Sequence, residues 1–260
     1  MLKSILLFIV FSFWSVFGLS QHSILENGRI IYERKINAYA IISDFVKGSD
    51  LVTSDAFSSF LQRYRQDHPQ FWVDSFQLFF NTDSTLYQPV GSVSPFLHGT
   101  GVPMAEKNRV FNRLSSFQYI AQKNAYSEQR LIRDTLVKIQ WKLTDETREI
   151  AGFECRRANG LIQDSIYLVA FYADAIKTKG GPERFHGLPG MILGLAIPHY
   201  HITYFATRIE PIIIQLDKQY SSLFEKQEKS ILQSDYFNEM VGYLKEKKLD
   251  NAWMKVFLSL

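Results

Sequence analysis

Two stretches of the chain carry a helical stripe. In TSDAFSSFLQRYRQDHPQ, Phe57, Phe60, Leu61 and Tyr64 stand at i, i+3, i+4 and i+7, which puts four apolar side chains on one face. Ser54 or Asp55 supplies a cap and Pro69 a stop. In SDYFNEMVGYLKEKK the stripe is Phe237, Met240, Val241 and Leu244, with Lys245 to Lys248 at the end where the helix dipole favours positive charge. The rest reads as strands. GRIIYERKINAYA predicts a first strand at about 29–38, and FWVDSFQLFFNTDSTLYQP predicts two, split near 81–84. Residues 91–107 are rich in Gly, Pro and Ser and predict a loop. Six antiparallel strands follow, at about 108–114, 117–123, 128–134, 138–143, 150–158 and 164–173. Turns are expected at Lys123-Asn124, Thr144-Asp145 and Asn159-Gly160. MILGLAIPHYHITYFATRIEP adds two strands around Pro198. The fold class expected is α+β, mainly β: a curved antiparallel sheet or half-barrel with a few helices packed on it. No internal repeat or low-complexity linker divides residues 21–260, so one domain with a C-terminal helix is expected.

The first twenty residues stand apart from this pattern. MLKSILLFIVFSFWSVFGLS has a positive Lys3, an apolar run from Ile5 to Phe17, and small residues before Gln21. It reads as a secretory signal peptide; the rival, an uncleaved anchor, needs roughly 20 apolar residues, and this run is shorter. No later stretch is long and apolar enough to span a bilayer as a helix. Removing residues 1–20 takes away one lysine and no acid, so the net charge of +3 becomes +2. That gives no electrostatic footprint for nucleic acid. Apolar residues at 46% allow a sizeable core. A single cysteine, Cys155, excludes an intramolecular disulfide. Arg156 and Arg157 flank it and could lower its pKa; the plainer reading is a small buried hydrophobe in a strand.

Chemistry is sparse. There is no Gly-x-Ser-x-Gly, no His-Glu-x-x-His and no phosphate-binding Gly-rich loop, so no catalytic residue is expected. His199 and His201 in PHYHITYF would share a face if the segment were a strand, which makes them half of a metal site or a solvent-facing pair. The oddest stretch is GPERFHGLPGMILGL. Residues 180–195 hold five of the fourteen glycines and two of the eight prolines. Gly187 and Gly190 can take positive φ, Pro189 fixes a bend, and Leu188 can drop into the core. Met191-Ile192-Leu193 can then enter the sheet as a buried strand. Gly181, Pro182, Phe185, Gly187, Leu188, Pro189 and Gly190 thus form a loop that is either a structural corner or a surface shown to a partner.

The same residues carry a family resemblance. Gly187-Leu188-Pro189-Gly190-Met191-Ile192 resembles the segment that names the GLPGLI family of exported Bacteroidetes proteins, with Met191 where leucine is usual. Gly181-Pro182 and Phe185 precede it. Upstream, Trp141, Thr144-Asp145-Glu146, Gly152-Phe153-Glu154-Cys155-Arg156-Arg157-Ala158 and Ala170-Phe171-Tyr172 fit the family's order. Gly28-Arg29-Ile30-Ile31-Tyr32-Glu33 matches its early strand. The match is dense from 139 to 195 and thinner from 28 to 138. The resemblance implies export, a β-rich fold and a role in the cell envelope, and it implies no reaction.

The leading expectation is therefore an exported, non-catalytic envelope protein that binds a partner protein or serves outer-membrane assembly, with no cofactor. One alternative is a periplasmic carrier of a lipid or other apolar ligand, its 21 phenylalanines lining a cavity. The other is metal handling through His199 and His201.

Overall fold

The alternation in GRIIYERKIN becomes a central strand. In β1 (Gly28–Asn37) every even-numbered residue is buried, and the even side chains Ile30, Tyr32, Arg34 and Ile36 share one face. The computed structural model describes residues 24–47, 54–91, 105, 107–125, 128–162, 166–225, 229–246 and 252–260. The expected signal peptide at 1–20, and nearly all of the loop expected at 91–107, lie outside these residues.

β1 is flanked by β2 (Phe71–Phe80) and β11 (Ile202–Glu210). From β2 the sheet continues outward through β3 (Ser84–Pro89), β4 (Arg109–Arg113), β5 (Gln118–Ala125) and β6 (Glu128–Thr135). From β11 it continues through β10 (Met191–Ile197), β9 (Ile166–Ala173), β8 (Phe153–Ile162) and β7 (Gln140–Ile150). The result is one antiparallel sheet of 11 strands, mainly β, curved and unclosed. Chain connectivity demands the curvature. A flat sheet of this width would be about 48 Å across. Yet residues 136–139 alone join β6 to β7, the two outermost strands, and can span only about 17 Å.

All three turn expectations miss. The Thr144-Asp145 turn is instead an irregularity inside β7: Leu143 pairs with Ala158 and Thr147 with Arg156, so β7 carries two extra residues there. The reversal comes later, at Ala151 and Gly152, with φ of 50° and 82°, the backbone that a two-residue hairpin needs. Asn159-Gly160 lies inside β8, paired with Trp141 and Lys142 on one side and Leu168 and Val169 on the other. Gly160 is there because the Trp141 ring lies over it; a Cβ would stand 2.5 Å from that ring. The strand at Lys123-Asn124 also runs on, to Ala125.

The helices are α1 (Ala38–Lys47), α2 (Ser54–Asp67), α3 (Leu216–Tyr220), α4 (Gln233–Glu246) and α5 (Ala252–Ser259). The stripes foresaw α2 and α4. In α4 the buried residues are Tyr236, Met240 and Leu244, so the face is turned slightly from the expected one. The large core holds the even face of β1 and β2, the apolar residues of β8 to β11, and Tyr236, Leu244, Phe257 and Leu258 from α4 and α5. A smaller core lies on the opposite face, where Phe79, Leu86, Phe111, Ile120 and Leu131 are covered by Leu216 and Phe224. No described helix is long and apolar enough to cross a membrane.

Candidate functional site

Residues 174–190 connect β9 to β10 and are held at almost every step. Ile176, Thr178 and Gly180 are buried, while Lys177 and Lys179 between them are exposed, an extended alternation. Thr178 Oγ1 donates to Asn81 O at 2.6 Å. Gly187 N–H donates to Lys179 O at 2.9 Å, Met191 N–H to Ile176 O at 3.0 Å and Ile192 N–H to Gly180 O at 2.9 Å. Trp141 Nε1 donates to His186 O at 2.9 Å. Gly187 has a φ of +95°. Gly190 lacks positive φ; it is glycine because a Cβ would sit 2.0 Å from Ala173 O. Gly181, Pro182, Phe185 and Leu188 are buried, and Pro189 is exposed. Every expected corner residue thus lies in one pinned segment.

The segment's interior end carries something that the glycine pattern hid. Phe185 N–H closes a turn on Pro182 O at 3.1 Å, and its second residue, Glu183, has a φ of +52° and no solvent exposure. A carboxylate in that backbone state is strained. Asn112 Nδ2 holds the turn by donating to Glu183 O at 2.9 Å. Among the described residues no donor meets either Glu183 carboxylate oxygen in full hydrogen-bond geometry; the Asn108 amide stands alongside.

Around Glu183 the curled sheet gathers a buried charge network. Arg34 Nη2 donates to Asp74 Oδ2 at 2.7 Å across the β1–β2 ladder, and its guanidinium lies over Phe76 and Phe257. Lys123 Nζ donates to Leu258 O at 3.0 Å and faces the Tyr236 ring. Arg184 stacks over Tyr119. Burial pushes the Glu183 carboxyl up to about 7, against the pull of Arg34 and Lys123. Burial also drives Lys123 well below its ordinary value, helped by Arg184 and opposed by Glu183. Tyr87 and Tyr204, next to Arg34 and Glu183, are raised by burial first. The network has no route to solvent through Glu183, so its plain consequence is to lock the corner.

The outer side of the segment faces water. With the β2–β3 turn, the β4–β5 turn and the 136–139 link, it walls a pocket of about 730 Å³. Lys138, Lys177 and Lys179 line it, with His186, Gly187, Phe117 and Asp83. Both Asp83 oxygens serve Ser115, accepting from its N–H at 2.8 Å and its hydroxyl at 2.9 Å. Among the described residues no carboxylate pairs with the three lysines. His186 Nδ1 meets Arg184 O at 3.1 Å, and burial lowers its pKa, so the ring is neutral at pH 7. Phe117 is 58% exposed with a φ of +52°.

The strand premise for His199 and His201 is overturned. Pro198–Tyr200 is a 3-10 turn and His201 is left-handed, with a φ of 57°. The two side chains therefore share no strand face. His201 Nε2 lies 3.4 Å from Asp44, and among the described residues no group of three His, Cys, Asp or Glu could hold a metal. Cys155 is buried, and burial raises its thiol to about 12. The flanking arginines do not lower it: Arg156 points to Asp174 and Arg157 to Glu146.

No protein-family model matches the chain, and no curated protein matches its sequence. Among solved structures, it is similar to PNGF-II in two crystal forms. In space group P21 the TM-score is 0.51 at 15% identity, covering 84% of this chain and 33% of that one. In space group C2 it is 0.49 at 15% identity, covering 79% and 30%. The chain thus spans about a third of the PNGF-II chain, and at this identity the likeness speaks for the fold alone.

Proposed function

We propose that the chain is an exported, non-catalytic binding module of the cell envelope, of the GLPGLI type, with an α+β half-barrel body, and that it takes its partner or ligand at the pocket walled by residues 177–187. The observation that carries this is the pairing of rigidity with unspent charge. The segment is tied to the β2–β3 turn, β7, β9 and β10 from within, yet it presents Lys177 and Lys179 beside Lys138 with a single acid, Asp83, in the described lining to set against the three. Converging like charges oppose folding, so a fold that holds them together gains from an anionic occupant.

The polar groups in the pocket support binding over catalysis. Ser115 donates straight to Asp83, with no histidine between them. His186 spends Nδ1 on a backbone carbonyl. A hydrolytic triad needs the histidine to bridge serine and carboxylate.

The test is affinity capture from the native envelope with wild type and with Lys138→Glu/Lys177→Glu/Lys179→Glu, after thermal unfolding has shown that both are folded. Material retained by wild type and lost by the reversed-charge variant is the expected result. Equal retention by both overturns the assignment of the pocket.

A further inference from the structure

We infer that this pocket is a phosphomonoester site, taking a small molecule whose terminal phosphate is carried on a ring with a flat apolar face. The inference rests on the reading of the corner as a binding site and specifies its ligand.

Charge sets the anion. Three lysines face one carboxylate, Asp83, and His186 is neutral, so the lining carries two uncompensated positive charges. A dianionic phosphate monoester cancels them, whereas a single carboxylate leaves one over. Donor shape points the same way. The lining cations are ammonium groups, each a compact point charge with three rotatable donors, which suits tetrahedral oxygens approached from several sides. A planar carboxylate is the better match for an arginine fork, and no arginine lines the pocket.

Placement turns lysines into a site. Lys177 and Lys179 are two apart in an extended run whose alternate residues are buried, so both project to the same side. The backbone beneath them is fixed by the bonds at Ile176 O, Thr178 Oγ1 and Lys179 O. Lys138 comes from the opposite wall, between Leu136 and Ile139, both buried, and Leu136 N–H donates to Phe117 O at 2.7 Å. That same bond anchors Phe117, whose exposed ring stands on the rim from a left-handed backbone position. Such a position is unfavourable for a bulky residue and turns up where a side chain is being aimed. An aromatic face beside a phosphate cradle fits a sugar or a nucleobase.

The experiment is calorimetric titration of the full chain with inorganic phosphate, glucose 6-phosphate and adenosine monophosphate, with glucose, adenosine and sulfate as controls. At least one of the two esters should bind, more tightly than phosphate or sulfate, and the affinity should fall as salt rises. Lys177→Gln and Lys179→Gln should each weaken it about tenfold, and Phe117→Ala should bring the ester down to the level of inorganic phosphate. Whichever ester binds more tightly names the source of the ring. Binding of neither ester to wild type, or sulfate binding as tightly as the esters, overturns the inference. If the esters fail while the charge-dependent capture persists, the pocket stands and only the ligand class falls; if both fail, both readings fall.

Discussion

Gly187 and Gly190 sit three residues apart and are glycine for different reasons, which one added methyl can separate. Gly187→Ala keeps its space but meets a φ of +95°, a strain of about 1–2 kcal/mol. Gly190→Ala drives a Cβ to 2.0 Å from Ala173 O, and β9 must move, at a cost of about 3 kcal/mol or more. Thermal unfolding should show a Tm loss for Gly190→Ala at least half as large again as that for Gly187→Ala; equal small losses would mean that the corner is not closed on β9. Glu183 adds a pH signature. Its carboxyl is raised in the folded chain to about 7 by burial, above the usual value near 4.3. The folded state then holds more protons than the unfolded state between those values, so this contribution is complete below about pH 4 and is lost as pH rises through 7. Arg34, Lys123 and Arg184 face the group, and their opposing pull is already contained in that value. Glu183→Gln cannot ionise, so it should match wild type at pH 4 and exceed it at pH 8 in urea unfolding. A variant with the same pH slope as wild type would show that another group carries it.

At the scale of elements, β1 and β2 are joined by a salt bridge where apolar alternation would place a hydrocarbon pair. Arg34 and Asp74 are directly opposed and almost wholly buried. Asp74→Ala leaves a buried guanidinium without its carboxylate and should cost about 3–5 kcal/mol. Arg34→Met/Asp74→Leu removes both charges and should recover most of that, since a hydrophobic replacement of a buried pair is often neutral. A double variant as unstable as the single would place the cost in packing instead. This pair also marks what the sequence could show. Strand positions were legible because burial follows period two from Phe71 to Leu78 and from Gly28 to Asn37. Arg34 and Asp74 stand in that phase, but their charge hides it, because charge normally marks the outer face. Turns were the least legible. Asn159-Gly160 has the local chemistry of a hairpin, and the packing of Trp141 on Gly160 overrides it. Thr144-Asp145-Glu146 reads as a turn and is absorbed as a bulge, while Ala151-Gly152, with one glycine, makes the reversal. The corner was visible as glycine and proline. The pocket was not, because Lys138 and Lys177 are far apart in sequence and meet only through the curl of the sheet.

Across the whole molecule, the question is what keeps a curled, unclosed sheet from opening. Its outer strands are joined by 136–139 alone, so the interior must be held by what fills it. The 174–190 segment enters from one side and α5 meets it. Phe257 lies against Arg34. Leu258 O accepts from Lys123 Nζ at 3.0 Å and from Gln233 Nε2 at 2.9 Å. Leu260 is buried beside Arg184 and Phe185. A chain ended after residue 251 would therefore lose more than one helix. Lys123 would lose its acceptor inside an apolar interior, a penalty that neutralisation only partly relieves, and the core under α4 would be exposed. The truncated chain should bind a hydrophobic dye and unfold over a broad range with a Tm at least 10 °C lower, roughly what a loss of 3 kcal/mol or more gives at this size. Lys123→Met separates the two causes. In the full chain it replaces a buried ammonium with a side chain of similar length, so it should leave Tm within about 4 °C. In the truncated chain it should restore part of the lost stability, because the orphaned charge is gone while the exposed apolar surface remains. A truncated chain that keeps a sharp transition near the wild-type Tm would mean that the sheet holds its curl without α5, and that the 174–190 segment fills the interior unaided.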